Sequence, residues 1–150
     1  MYIFYQFILG YLAVIGFAYY LTVPFKVIPY CAIGGAVGWT TFMYFSKYLN
    51  NGFLGILLGS ILIGLLGEIL SRKFKMPATV FTIAGIVPLV PGLNLYYMMY
   101  NIVMSNYSEA FTEGLNASII AGSISIGLFL ASSISNRVIK HMYKKRSGVL

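Results

Sequence analysis

Long apolar segments almost free of charge limit what this chain can become. Tyr2–Val23, Val27–Phe45, Gly52–Leu70, Met76–Met104 and Gly114–Ile134 contain no lysine or arginine and share a single carboxylate, Glu68. A helix rising about 1.5 Å per residue crosses a hydrocarbon core in roughly 20 apolar residues. The pattern therefore predicts an all-α integral membrane protein with five transmembrane helices, spanning 2–23, 27–45, 52–70, 76–104 and 114–134. The whole chain, 1–150, reads as one transmembrane domain ending in a basic tail over 136–150. With 59% hydrophobic and 9% charged residues, its composition lies well outside that of soluble domains. No charged n-region precedes Tyr2–Val23, so this segment is read as a span and not as a secretory signal.

The net charge of +7 reflects topology. Lys26, the loop residues Arg72, Lys73 and Lys75, and the tail residues Arg137, Lys140, Lys144, Lys145 and Arg146 all fall on one side of a five-span arrangement, leaving only Lys47 on the other. Lysine and arginine are retained on the cytoplasmic side, so the N-terminus is expected outside and the C-terminus in the cytoplasm. The basic residues form short runs between spans and not an amphipathic face, which argues against a nucleic-acid partner. Cys31 and His141 each stand alone, so no disulfide framework or metal site is expected. There is no GxxxxGK[ST] loop and no HExxH pair. Neither an enzyme nor a cofactor is indicated.

The fourth segment carries the irregularity. Pro88, Pro91 and Gly92 interrupt it, and a proline inside a helix removes a backbone donor and clashes with the carbonyl four residues back. From Pro77 to Val87 is about 11 residues, roughly 16 Å of helix, so the break over Pro88–Gly92 is expected near the bilayer midplane. A second half-helix resumes near Leu93 or Asn94, with Asn94 a candidate N-cap, and turns its unpaired N–H groups toward that depth. Such an end favours an anion, for instance a substrate carboxylate. Asn94, Tyr97 and Asn101 recur at helical spacing and line one face, and Thr79 and Thr82 are expected to point into the same cavity from the first half. The alternative is a plain proline kink between packed helices.

Other residues also carry two readings. Glu68 is an intramembrane acid that can couple a proton to transport, or one that simply pairs with Arg72 at i+4. Glu109 and Glu113 are placed in a solvated outer loop over Asn106–Glu113. Gly34, Gly35 and Gly38, with Gly55, Gly59 and Gly64, form small-residue faces able to pack against helices of this chain or another. Ser118, Ser125 and Ser132, with Gly122, form a stripe read as helix packing or as pore lining.

The run Pro77-Ala78-Thr79-Val80-Phe81, then Gly85, then Ile86-Val87-Pro88-Leu89-Val90-Pro91-Gly92, resembles the threonine/serine exporter family. Glu68, Arg72, Lys73, Tyr96 and Tyr97 fit the same pattern, and the length is similar to that of its small, separately encoded membrane subunit. Met98 departs from it, since some members carry a basic residue there. The resemblance implies an exporter in the bacterial cytoplasmic (inner) membrane, acting on small carboxylate metabolites: threonine and serine, or dicarboxylates such as succinate. It also implies a larger membrane subunit as partner, and a homo-oligomer is compatible with it. The competing expectation is a structural membrane subunit that stabilises its partner without touching substrate.

Overall fold

The computed structural model describes the backbone of residues 1–146 and the side chains of residues 1–137. The elements are α1 (Tyr2–Tyr20), α2 (Ile28–Tyr48), α3 (Gly52–Phe74), α4 (Ala78–Ile86), a 3-10 turn over Val87–Leu89, α5 (Gly92–Val103) and α6 (Tyr107–Arg146). The described residues contain no strand, as an all-α reading requires. The side chains of Lys140, His141, Lys144, Lys145 and Arg146 lie outside the described residues.

α1, α3 and the Tyr107–Arg137 stretch of α6 are each long and apolar enough to cross a membrane, and α4 with the turn and α5 passes only as a broken pair bent by 53°. The structure thus gives three membrane-length helices, or four with the bent pair, against the five expected. The difference lies in α2. Its 21 residues suffice in length, but its glycines, Thr40, Thr41 and its tyrosines dilute the hydropathy. Such a helix suits protein neighbours better than lipid, and α2 packs between α1, α3 and α4.

Glycine sets how closely these helices approach. A Cβ added at Gly59 would lie 2.7 Å from the Gly38 carbonyl oxygen, and one at Gly35 would lie 2.8 Å from that of Gly85. Gly55 faces the backbone of Phe42, Gly64 faces Ala131 and Gly67 faces Thr82. Dispersion and close backbone contact hold helices together where lipid removes the hydrophobic drive. All but one of the glycines expected to form packing faces are therefore used within the chain; Gly34 is the exception, with nothing within 4 Å of its would-be Cβ. Polar ties add direction, with Trp39 Nε1 donating to Gln6 Oε1 at 3.0 Å between α2 and α1.

Facing residues fix the sense of each helix. Gln6 meets Trp39 and Gly55 meets Phe42, so α2 runs antiparallel to both α1 and α3. Gly67 meets Thr82 and Gly59 meets Leu89, so α4 and the turn run antiparallel to α3. Gly127 meets Ser60, Ala131 meets Gly64 and Ser135 meets Arg72, so α6 runs parallel to α3. Between α3 and α6 the chain has therefore travelled the length of the bundle once.

The turns bring like ends together. The C-terminal end of α3 closes with Lys75 at φ 53°, and the Met76 amide returns to the Ser71 carbonyl at 3.0 Å. There Lys73 Nζ sits 5.4 Å from the Tyr30 ring centroid at the start of α2. At the other end of the bundle Lys47 Nζ lies 3.4 Å over the Tyr2 ring. The Asn51 side chain caps α3 by accepting from the Leu54 amide at 3.1 Å.

Candidate functional site: a broken helix and two polar clusters

The two prolines do different work. Val87, before Pro88, keeps helical dihedrals (φ −49°, ψ −44°), and Pro88 sits in the first turn of the 3-10 segment where no donor is needed. Val90, before Pro91, is extended (φ −60°, ψ 135°), as a residue preceding proline is driven to be. The direction of the chain changes at Val90–Pro91. Leu89 is buried and packs near Gly59, which faces Gly38, the central residue of α2. The break is therefore level with the middle of the bundle.

α5 starts at Gly92 with Pro91 as its N-cap and no side chain capping it. Asn94 was expected as the cap; it lies inside the first turn because the helix already begins at Gly92, directly after Pro91. Its Nδ2 donates to Glu113 Oε2 at 2.8 Å. Glu113 is correspondingly not a solvated loop residue. The segment over Asn106–Glu113 forms the first turns of α6 from Tyr107, with Glu109 in the first turn where the helix dipole favours an acid. Sequence reading missed the Asn94–Glu113 pair because the polar stretch before Gly114 looked like a loop; an i, i+4 phase carried back from Ala117 through Glu113 to Glu109 was the available signal.

The expected site residues do not converge on one cavity. On α5, Asn94 is half-buried, Tyr97 is exposed with its ring edge-on to Tyr96 at 5.5 Å, and Asn101 is 9% exposed. The groove between α5 and α6, about 660 Å³, is lined by Pro91, Leu95, Met98, Ile102 and apolar or small residues of α6, and none of the three polar residues lines it. Gly92 faces open space, with nothing within 4 Å of a would-be Cβ.

Thr79 and Thr82 lie elsewhere. With Gly64, Glu68, Ala78, Leu128 and Ser132 they line a cavity of about 180 Å³ between α3, α4 and α6. Thr82 Oγ1 donates to the Ala78 carbonyl at 3.1 Å. Glu68 pairs with Arg72 Nη2 at 3.2 Å, and Ser135 Oγ donates to the same Glu68 oxygen at 3.4 Å while also meeting Arg72. The Glu68–Arg72 ion pair expected from i, i+4 spacing is present, and Ser135 joins it from α6, while Ser132 lines the cavity beside it. Along the serine stripe, Ser118 and Ser125 are exposed and bond back to the Gly114 and Ala121 carbonyls, whereas Ser132 turns into this cavity.

A helical chain with several membrane-length segments and one of them broken at half-length is a multi-pass membrane protein. Residues 6–134 match the family described as threonine/serine exporter, ThrE, and the chain belongs to that family. It is thus a threonine/serine exporter-type membrane transport protein of a transporter family, not an enzyme. No solved structure matches the chain.

Proposed function

We propose that the chain is the membrane subunit of a secondary exporter for small carboxylate metabolites, either threonine and serine or dicarboxylates such as succinate. It acts with a larger membrane subunit in the bacterial cytoplasmic membrane. In this reading it is one transmembrane domain of five crossings, with the N-terminus outside and the basic tail inside. The parallel run of α3 and α6 supports counting the α4–α5 pair as a crossing, and the antiparallel run of α2 along α1 and α3 supports counting α2 with them. The ends of α1 and α3, with Lys26, Arg72, Lys73 and Lys75, then share a side with Arg137.

One observation carries the transport reading. At Val90–Pro91 a membrane-length pair breaks level with the middle of the bundle and resumes as a half-helix whose first turn has no side-chain cap and faces open space at Gly92. Irregular backbone at such depth is tolerated where protein or a water-filled path surrounds it, and a half-helix end there suits a substrate's charged group. Pro88, Pro91, Gly92, Asn94, Tyr97 and Asn101 form the outer part of the path, and Thr79, Thr82, Glu68 and Arg72 the part nearer the basic end. α4 is wedged among α2 and α3, whereas α5 packs chiefly on α6, so rocking at Pro91 moves α5 and leaves α4 in place.

Expression with and without the larger subunit, in cells loaded with labelled threonine or succinate, tests the reading. Efflux requiring both chains is expected. Equal efflux with and without this chain removes it.

The same exposed face of α5 favours a second reading, a structural subunit whose free surface seats a partner. That reading expects Asn94, Tyr97 and Asn101 to accept apolar replacement without change in substrate preference.

A further inference from the structure

We propose that the basic end of the bundle is a binding site for the phosphate headgroup of an anionic phospholipid, built where the α1–α2 turn meets the α3–α4 turn. The site rests on the membrane location of the chain and not on the exporter reading. Lys26 of the first turn, with Lys73 and Lys75 of the second, supplies its charge. Val23 and Val27, which flank Lys26, share one core with Leu70, Phe74 and Met76, so the two turns are held side by side.

These lysines are exposed, unneutralised and held in place. Of the three carboxylates in the chain, Glu109 and Glu113 stand at the opposite end, in the first turns of α6, and Glu68 is taken by Arg72 at 3.2 Å. Lys73 Nζ lies 5.4 Å from the Tyr30 ring centroid and 5.8 Å from that of Phe74, and these rings are themselves 4.7 Å apart. A cation propped on aromatic faces keeps its N–H donors for a further partner. Lys75 takes a left-handed φ of 53°, which glycine adopts at less cost, and its turn is pinned twice. The Met76 amide donates to the Ser71 carbonyl, and Ser71 Oγ donates to the Met76 carbonyl at 2.6 Å. α2 and α4 both begin at this end with no side-chain cap, which adds the positive ends of their dipoles.

Depth selects a lipid as the source of the phosphate. Tyr19, Tyr20 and Phe25 are exposed around the first turn, with the Tyr19 and Phe25 rings 5.8 Å apart. Exposed aromatic rings at the end of a span mark the boundary between hydrocarbon and headgroups, so lysines just beyond them stand at the level of the phosphates. A choline or ethanolamine headgroup brings its own cation against this lysine cluster. A glycerol headgroup brings only the phosphate, and the fit is therefore to phosphatidylglycerol-type lipid. Lys47 gives the contrast at the other end of the bundle, where it lies over the Tyr2 ring with no second lysine beside it among the described residues.

The test uses the full chain, purified into nanodiscs of phosphatidylcholine alone or mixed with phosphatidylglycerol. Its unfolding midpoint is measured, and native mass spectrometry counts the lipid it retains. Phosphatidylglycerol is expected to raise the midpoint by several degrees and to be retained about tenfold or more over phosphatidylcholine. Added salt should shrink the shift. Lys26→Gln, Lys73→Gln and Lys75→Gln combined should remove most of the shift and of the excess retention, and Lys73→Gln alone about half of each. Lys47→Gln should leave both unchanged.

Equal midpoints in the two lipids, or a full shift in the triple variant with its basic tail intact, overturns the site. A shift of the same size from inorganic phosphate added to phosphatidylcholine nanodiscs overturns the lipid assignment. Should the triple variant fail to accumulate, the retained-lipid count of Lys73→Gln decides, and undiminished retention there overturns the site. The exporter reading stands or falls on efflux, which none of these outcomes touches.

Discussion

The two halves of the broken pair contrast sharply. α4 and its 3-10 turn are held on two sides by glycine contacts, with Gly35 against Gly85, Gly67 against Thr82 and Gly59 near Leu89. α5 begins after two intervening residues, is less apolar, and rests chiefly on α6, with Leu93, Tyr96, Met99, Tyr100 and Val103 exposed. One proline separates a clamped half-helix from an unclamped one. The lesson is that packing partners, and not the helix-breaking residues themselves, decide which side of a break is free to move.

The largest expected effect lies on the clamped side. Gly59→Val drives a branched side chain into the Gly38 carbonyl, and overpacking of this kind costs about 1–3 kcal/mol or more. Membrane abundance and the unfolding midpoint in detergent should both fall, and an unaltered midpoint would break the picture of a glycine-closed bundle. Trp39→Phe should come next, removing the donor to Gln6 and costing about 1 kcal/mol in the same assay.

Asn94→Ala has a different signature. With its bond to Glu113 gone, amide hydrogen exchange over 92–103 should speed up while exchange over 55–67 stays as it was. A uniform rise across both regions would mean that α5 belongs to the same cooperative unit as the bundle. The smallest effect is expected at Gly92→Ala, where the added methyl meets nothing within 4 Å and stability should change by no more than about 0.5 kcal/mol.

Much of this contrast could be read from residue order. Segment boundaries followed from where charge interrupts apolarity, and the break followed from Pro88 and Pro91. That Pro91 and not Pro88 turns the chain was not legible, because it depends on whether the preceding residue keeps helical dihedrals in context. Thr79 and Thr82 were expected to share a cavity with Asn94, Tyr97 and Asn101 and instead line one with Glu68 and Ser132, because the face they present is set by where α3 and α6 lie. For the same reason Asn94 was expected to cap a helix and instead holds Glu113. The polar opening of α6 defeated a hydropathy argument, since a helix can extend past its apolar span wherever its first turn finds a partner. Gly35, Gly38 and Gly59 announced close packing, yet glycine spacing carries no information on whether the neighbour is internal or foreign.

The break at Pro91 as a working part of the transport path is the central claim, and efflux from matched proline variants tests it most directly. At equal membrane abundance, Pro91→Ala should reduce labelled threonine or succinate efflux about tenfold or more, while Pro88→Ala, whose preceding residue is already helical, should lose far less. Wild-type efflux from an abundant Pro91→Ala protein would contradict the account.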